Sequence, residues 1–147
     1  MPFLDPLHHR WVEPGEAEYR DGRDWMLLSP IRYHWTRMDI ILTAEEGFVY
    51  DQASVPRLVL PVIVESSGKI SKPSVFHDLL YNIYRDLNFP TSCHPKVTSD
   101  HDWTKSETDL MFRDGMIDNG MSKIRAYIAW LGVKANLNAK LNWNTYV

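Results

Sequence analysis

In the stretch Val75-Phe76-His77-Asp78-Leu79-Leu80-Tyr81 an imidazole and a carboxylate stand side by side inside an apolar helical pattern. Apolar residues at Val75, Phe76, Leu79, Leu80, Ile83 and Leu87 have the spacing of a helix packed into a core. His77, Tyr81 and Tyr84 fall on one stripe of it, because residues four and seven apart share a face. Further on, Asp109 shares a face with the core-type residues Phe112 and Met116. A carboxylate in such company needs a buried donor, and His77 is the natural one. A carboxylate bonded to one ring nitrogen fixes the imidazole tautomer and stabilises its protonated form, leaving the other nitrogen to take a proton from water or a hydroxyl. On this reading His77 is a general base and Asp109 its orienter. Asp78, projecting from the neighbouring face, is a ligand for a hard cation such as calcium, with Asp51 as a further ligand. Such a set would hydrolyse a lipid ester or a cell-envelope bond.

The same residues also serve a purely structural arrangement. His77 and Asp109 would then be a satisfied buried pair holding two helices in register, since buried polar groups are paired whether or not chemistry follows. Asp51, Ser54 and Arg57 allow a similar choice. Ser54 lacks the Gly-x-Ser-x-Gly frame of a nucleophile elbow, and short polar side chains in such a stretch commonly bond local backbone. Arg113, four residues after Asp109, is a competing partner for its carboxylate. Exposure of the imidazole separates the alternatives. A pocket reaching the free nitrogen favours catalysis, whereas a ring sealed beneath aromatic side chains favours structure.

The elements that must position these groups follow from composition and punctuation. The chain has 147 residues, a formal charge of −3, a pI near 6.0 and 44% hydrophobic residues, which fits a single domain, 1–147, with a true core. Without a basic excess, long-range attraction to nucleic acid is not expected. The lone cysteine, Cys93, excludes an intramolecular disulfide framework and a cysteine-based zinc cluster. The first residues lack the pattern of a signal peptide, and no apolar run approaches the ~18 residues of a spanning helix. Six Trp and seven Tyr combine apolar area with polar tips, which suits a contact-rich protein.

Residues 1–23 read as an arm or loop punctuated by Pro2, Pro6, Pro14, Gly15 and Gly22, with a short strand near Tyr19 and with His8 and His9 as loop features. Strand-like runs follow from Trp25 to Trp35, from Met38 to Leu42 and from Gly47 to Tyr50, the last two joined by a turn ending on Gly47. A first helix is expected from about Lys72 to Ser74, with Pro73 near its start, to just before Asn88. A long loop then leads to a second helix, whose start is marked by the capping-box pattern Thr104-Lys105-Ser106-Glu107 and whose end is marked by Asn119-Gly120. Ser122 caps a third helix with apolar residues at Ile124, Tyr127, Ile128, Leu131 and Ala135, and residues 136–147 form a tail. The expected fold is α+β: a small N-terminal antiparallel β region followed by three packed helices.

Three motifs, Gly47-Phe48-Val49-Tyr50-Asp51-Gln52-Ala53-Ser54-Val55-Pro56-Arg57, then Val75 to Tyr81, then Ser106-Glu107-Thr108-Asp109-Leu110-Met111-Phe112, resemble domain-of-unknown-function family 1353 of tailed phages and prophages. That family shows an Asp-Gly-Ala-Ser-x-Pro loop, a His-Asp-x-Leu-Tyr helix and an Ala-Asp-x-x-Phe helix. Here Gln52 replaces the loop glycine and Thr108 the alanine. A fainter local similarity is to phospholipases A2, whose active helix reads His-Asp-x-x-Tyr, matched here by His77, Asp78 and Tyr81, with Asp109 in the place of the orienting aspartate. Disulfides and a glycine-rich calcium loop, both usual there, are missing. The first resemblance implies a phage origin and no particular reaction. The expectation is a structural component of the particle, in tail, neck or baseplate, made in the host cytoplasm. It would contact other phage structural proteins or further copies of itself, with no cofactor. The alternative is a small phage-encoded hydrolase, with calcium as its cation.

Overall fold

The computed structural model describes residues 2–16, 24–51, 67–85, 101 and 103–135. Five strands, β1 (His9–Trp11), β2 (Asp24–Leu27), β3 (Ile31–Trp35), β4 (Ile40–Ala44) and β5 (Val49–Asp51), precede three helices, α1 (Ser67–Arg85), α2 (Lys105–Asp118) and α3 (Lys123–Lys134). All strand pairs are antiparallel, in a three-stranded sheet of order β1-β2-β5 and a two-stranded sheet of β3 and β4. The α+β architecture is the one expected from the sequence.

β3 shows why this region folds as sheet. Ile31, Tyr33 and Trp35 are buried while Arg32 faces solvent, the period-two alternation of a strand with one face on a core. The turn after β4 passes through Gly47 at φ +87°, a conformation that glycine adopts without a Cβ clash. It carries the chain from one sheet to the other, since β4 pairs with β3 and β5 with β2.

The first residues are not a free arm. Phe3 forms a β-bridge with Tyr33, flanked by hydrogen bonds from Leu4 N to Arg32 O (3.0 Å) and from His34 N to Pro2 O (2.7 Å). Its ring stacks on Tyr33 at 4.4 Å and lies 6.2 Å from Phe76. A large apolar ring near the start of the chain thus completes the core, and Pro2 and Leu4 on either side of it bond the backbone of β3. The first strand lies at β1, while Tyr19 lies outside the described residues.

α1 begins at Ser67, several residues before Lys72, so Pro73 sits inside it. Proline cannot donate to the carbonyl four residues earlier. That carbonyl, Lys69 O, instead accepts from the side-chain amide of Asn119 at 2.8 Å, and Ser74 Oγ donates to Ile70 O at 2.7 Å. The proline face also packs against Gly115 of α2. A Cβ built on Gly115 would lie 3.3 Å from Pro73 Cβ.

α2 begins at the expected capping box, with Glu107 N donating to Thr104 Oγ1 (3.1 Å) and Thr104 N donating to Glu107 Oε1 (3.3 Å). It ends at Asn119 and Gly120, the latter at φ +99°. The sheet is held on α2 by Tyr33 Oη donating to Asp118 (2.7 Å), Trp35 Nε1 donating to Asp114 (2.8 Å) and Arg37 bonding Asp114 through two nitrogens (2.7 and 3.1 Å).

Ser122 caps α3 as expected, but the inward face differs. Ala126, Ala129 and Val133 are buried, whereas Ile124, Tyr127 and Leu131 are exposed. Phe112, Met116, Met121 and Ile70 fill the space beneath the helix, so small side chains are the ones that fit there.

Candidate functional site

α1 and α2 bring His77 and Asp109 together, as their spacing in two successive helices suggests. His77 Nε2 lies 3.0 Å from Asp109 Oδ1, with the two residues 2% and 1% exposed. A carboxylate accepts only, so the proton of this bond belongs to Nε2. One turn further along α1, Tyr81 Oη donates to the same Oδ1 at 2.5 Å. The imidazole is packed between the rings of Tyr81 and Phe112, at centroid distances of 4.1 and 4.4 Å.

The other carboxylate oxygen belongs to a residue that the sequence reading did not single out. Lys105 Nζ donates to Asp109 Oδ2 at 2.6 Å, and also to Val133 O (2.9 Å) and Lys134 O (3.3 Å). These are carbonyls of the last turn of α3, the helix end that attracts a cation. All three ammonium donors are used, and Lys105 is 8% exposed. The signal was present as a lysine four residues before the aspartate, at helix-neighbour spacing. Arg113, on the other side of Asp109, takes different partners. It lies 4.6 Å from the Trp130 ring centre and 3.8 Å from Asp114.

Burial alone would raise the Asp109 pKa, because the charged form loses water. The hydrogen bond and charge of His77, then the bonds from Lys105 and Tyr81, outweigh burial and hold it below the ordinary carboxylate value. The node therefore contains an ionised aspartate with three donors on its two oxygens, reaching α1, α2 and the end of α3.

Asp78 is buried next to His77 in α1. Asp51 ends β5, but its side chain, like Ser54 and Arg57, lies outside the described residues. Among the described residues no three His, Cys, Asp or Glu side chains come together as a metal site. His9 is part of β1 rather than a loop. Its Nδ1 lies 2.5 Å from Tyr50 Oη, its ring stacks on Trp25 at 4.0 Å, and burial lowers its pKa.

The node adjoins a pocket of about 180 Å³ between α2 and α3, lined by Ser106, Asp109, Leu110, Trp130 and Lys134. Asp109 meets that space with both oxygens already bonded, and His77 is not among the residues lining it. Among the described residues, no helix is long and apolar enough to cross a membrane.

No curated protein and no solved structure matches the chain. The profile of the family described as "Protein of unknown function (DUF1353)" matches residues 25–133, which takes in the strands from Trp25 onward, α1, α2 and nearly all of α3. The chain belongs to that family.

Proposed function

We propose that this protein is a structural component of a tailed-phage particle, in its tail, neck or baseplate region, and that the His77–Asp109 pair serves the fold. The sealing of the imidazole carries this reading. At 2% exposure, the ring is sealed between Tyr81 and Phe112 among the described residues. The buried ammonium of Lys105 also takes the second Asp109 oxygen, so the carboxylate ties three side chains together rather than serving the imidazole alone. The phage assignment rests on the motif resemblance in the loop, the His-Asp helix and the Asp-x-x-Phe helix. Mass spectrometry of purified virions tests it, together with a particle reconstruction. The expected result is a stoichiometric virion protein seated against its neighbours, and its absence from intact particles would overturn the assignment.

One observation favours a second reading, a small hydrolase acting on a lipid ester or an envelope bond. Among the described residues no hydrogen bond reaches His77 Nδ1, the nitrogen a general base would use. Turnover of phospholipid or peptidoglycan, with and without calcium, distinguishes the two. The structural reading expects none in either condition, whereas turnover abolished by His77→Asn would establish the hydrolase.

A further inference from the structure

Helix α3 turns large apolar residues away from its own core. Ile124 is 75% exposed, Tyr127 49% and Leu131 45%. With Ile128, partly buried, they stand at positions i, i+3, i+4 and i+7, one continuous stripe about 10 Å long at 1.5 Å per residue. Its charged borders have one sign. Lys123, Arg125 and Lys134 are all the charged residues of α3, and α3 contains no acidic residue although the whole chain is net negative. Arg113 of α2 and Lys134 both stack on Trp130, each 4.6 Å from its ring centre, adding a cationic rim around an indole.

We propose that this face docks onto an anionic lipid surface. Charge complementarity selects an acidic partner and argues against pairing of α3 with its copy, which would set lysine and arginine against lysine and arginine. Two further features select lipid over an acidic protein. Four side chains over two helical turns fall well short of the roughly 1,000 Å² that a specific protein interface requires, whereas a bilayer demands no matching shape. The rim also uses two lysines, a residue depleted in protein interfaces, and Tyr127 and Trp130 have the apolar body and polar tip suited to the headgroup level. Ile124 and Leu131 would enter the acyl boundary while the basic side chains meet headgroup phosphates. The inference is independent of the role of the His77 node.

Co-sedimentation of the full chain with vesicles of phosphatidylcholine alone, or with about one-third phosphatidylglycerol, tests it. Binding is expected to the anionic vesicles only, and to weaken as salt rises. Ile124→Asp should abolish it, and Lys123→Glu should weaken it by roughly fivefold or more. Trp11→Asp, at a comparably exposed apolar residue on β1, should leave binding unchanged, and thermal melts confirm that each variant is folded. Absence of binding to anionic vesicles, equal binding to neutral ones, or binding indifferent to Ile124→Asp would each overturn the proposal. Self-association removed by Ile124→Asp, without vesicle binding, would assign the stripe to a protein contact and overturn it equally.

Discussion

The polar node and the outer face of α3 treat burial in opposite ways. Between α1 and the end of α3 an imidazole, a carboxylate and an ammonium are hidden almost completely, while the outer face of α3 leaves an isoleucine, a tyrosine and a leucine in water. Residue type alone would assign the reverse. The charged groups can be buried because every donor of Lys105 and both oxygens of Asp109 are bonded, so desolvation is offset by direct partners. The apolar groups stay outside because the α2 side of α3 is already filled by Phe112 and Met116, leaving room for alanines. Completeness of partners on one side, and available volume on the other, override polarity.

This contrast predicts a graded set of responses. The largest loss is expected from Asp109→Ala, which strands the Lys105 ammonium in the interior. Urea denaturation should show about 3–5 kcal/mol of destabilisation. The same carboxylate gives acid sensitivity. Its folded pKa is lowered, so its contribution is complete above the unfolded carboxylate value and is lost as pH falls through the folded one. Unfolding measured from neutral to acidic pH should therefore lose stability more steeply in the parent than in Asp109→Asn. If the slopes coincide, the aspartate is not the ionised centre of the node.

Tyr81→Phe removes one donor to a charged acceptor and keeps the ring over His77, so a loss of about 1.5–3 kcal/mol is expected in the same assay. Gly115→Val probes packing without touching any charge. Its branched side chain would press on Pro73 and Phe3, at about 1–3 kcal/mol, and a neutral result would mean α1 and α2 can separate there. Smallest of all, Ile124→Asp should shift thermal stability by no more than about 0.5 kcal/mol, because the side chain it replaces is in solvent. A severe loss at that position would show that the α3 stripe supports the fold after all.

Several parts of this molecule are legible before any coordinates. The capping box at Thr104 and Glu107, the stop at Asn119 and Gly120, and the cap at Ser122 are local hydrogen-bond devices whose residues lie within a few positions of one another. The His77–Asp109 contact could be foreseen because two amphipathic helices following one another commonly pack together, with the polar residue on each core face in need of a partner. Phe3 was harder to place, since its partners Tyr33 and Phe76 are distant in the chain. α1 starts well before Pro73, although proline normally marks an early helix position. Here a side chain from the end of α2 takes over the carbonyl that proline leaves free.

Helix caps, the alternating β3, the positive-φ glycine turn and the α+β order are set by short-range chemistry and periodicity, so the amino-acid order specifies them outright. The inward side of α3 is different, since 126-129-133 and 124-127-131 are equally helical stripes and periodicity has no preference between them. Volume left by Phe112, Met116, Met121 and Ile70 makes that choice. The third member of the polar node was likewise settled in space. A lysine four residues before an aspartate is ordinary on a surface helix, and becomes a buried tie when the end of another helix brings two carbonyls within its reach.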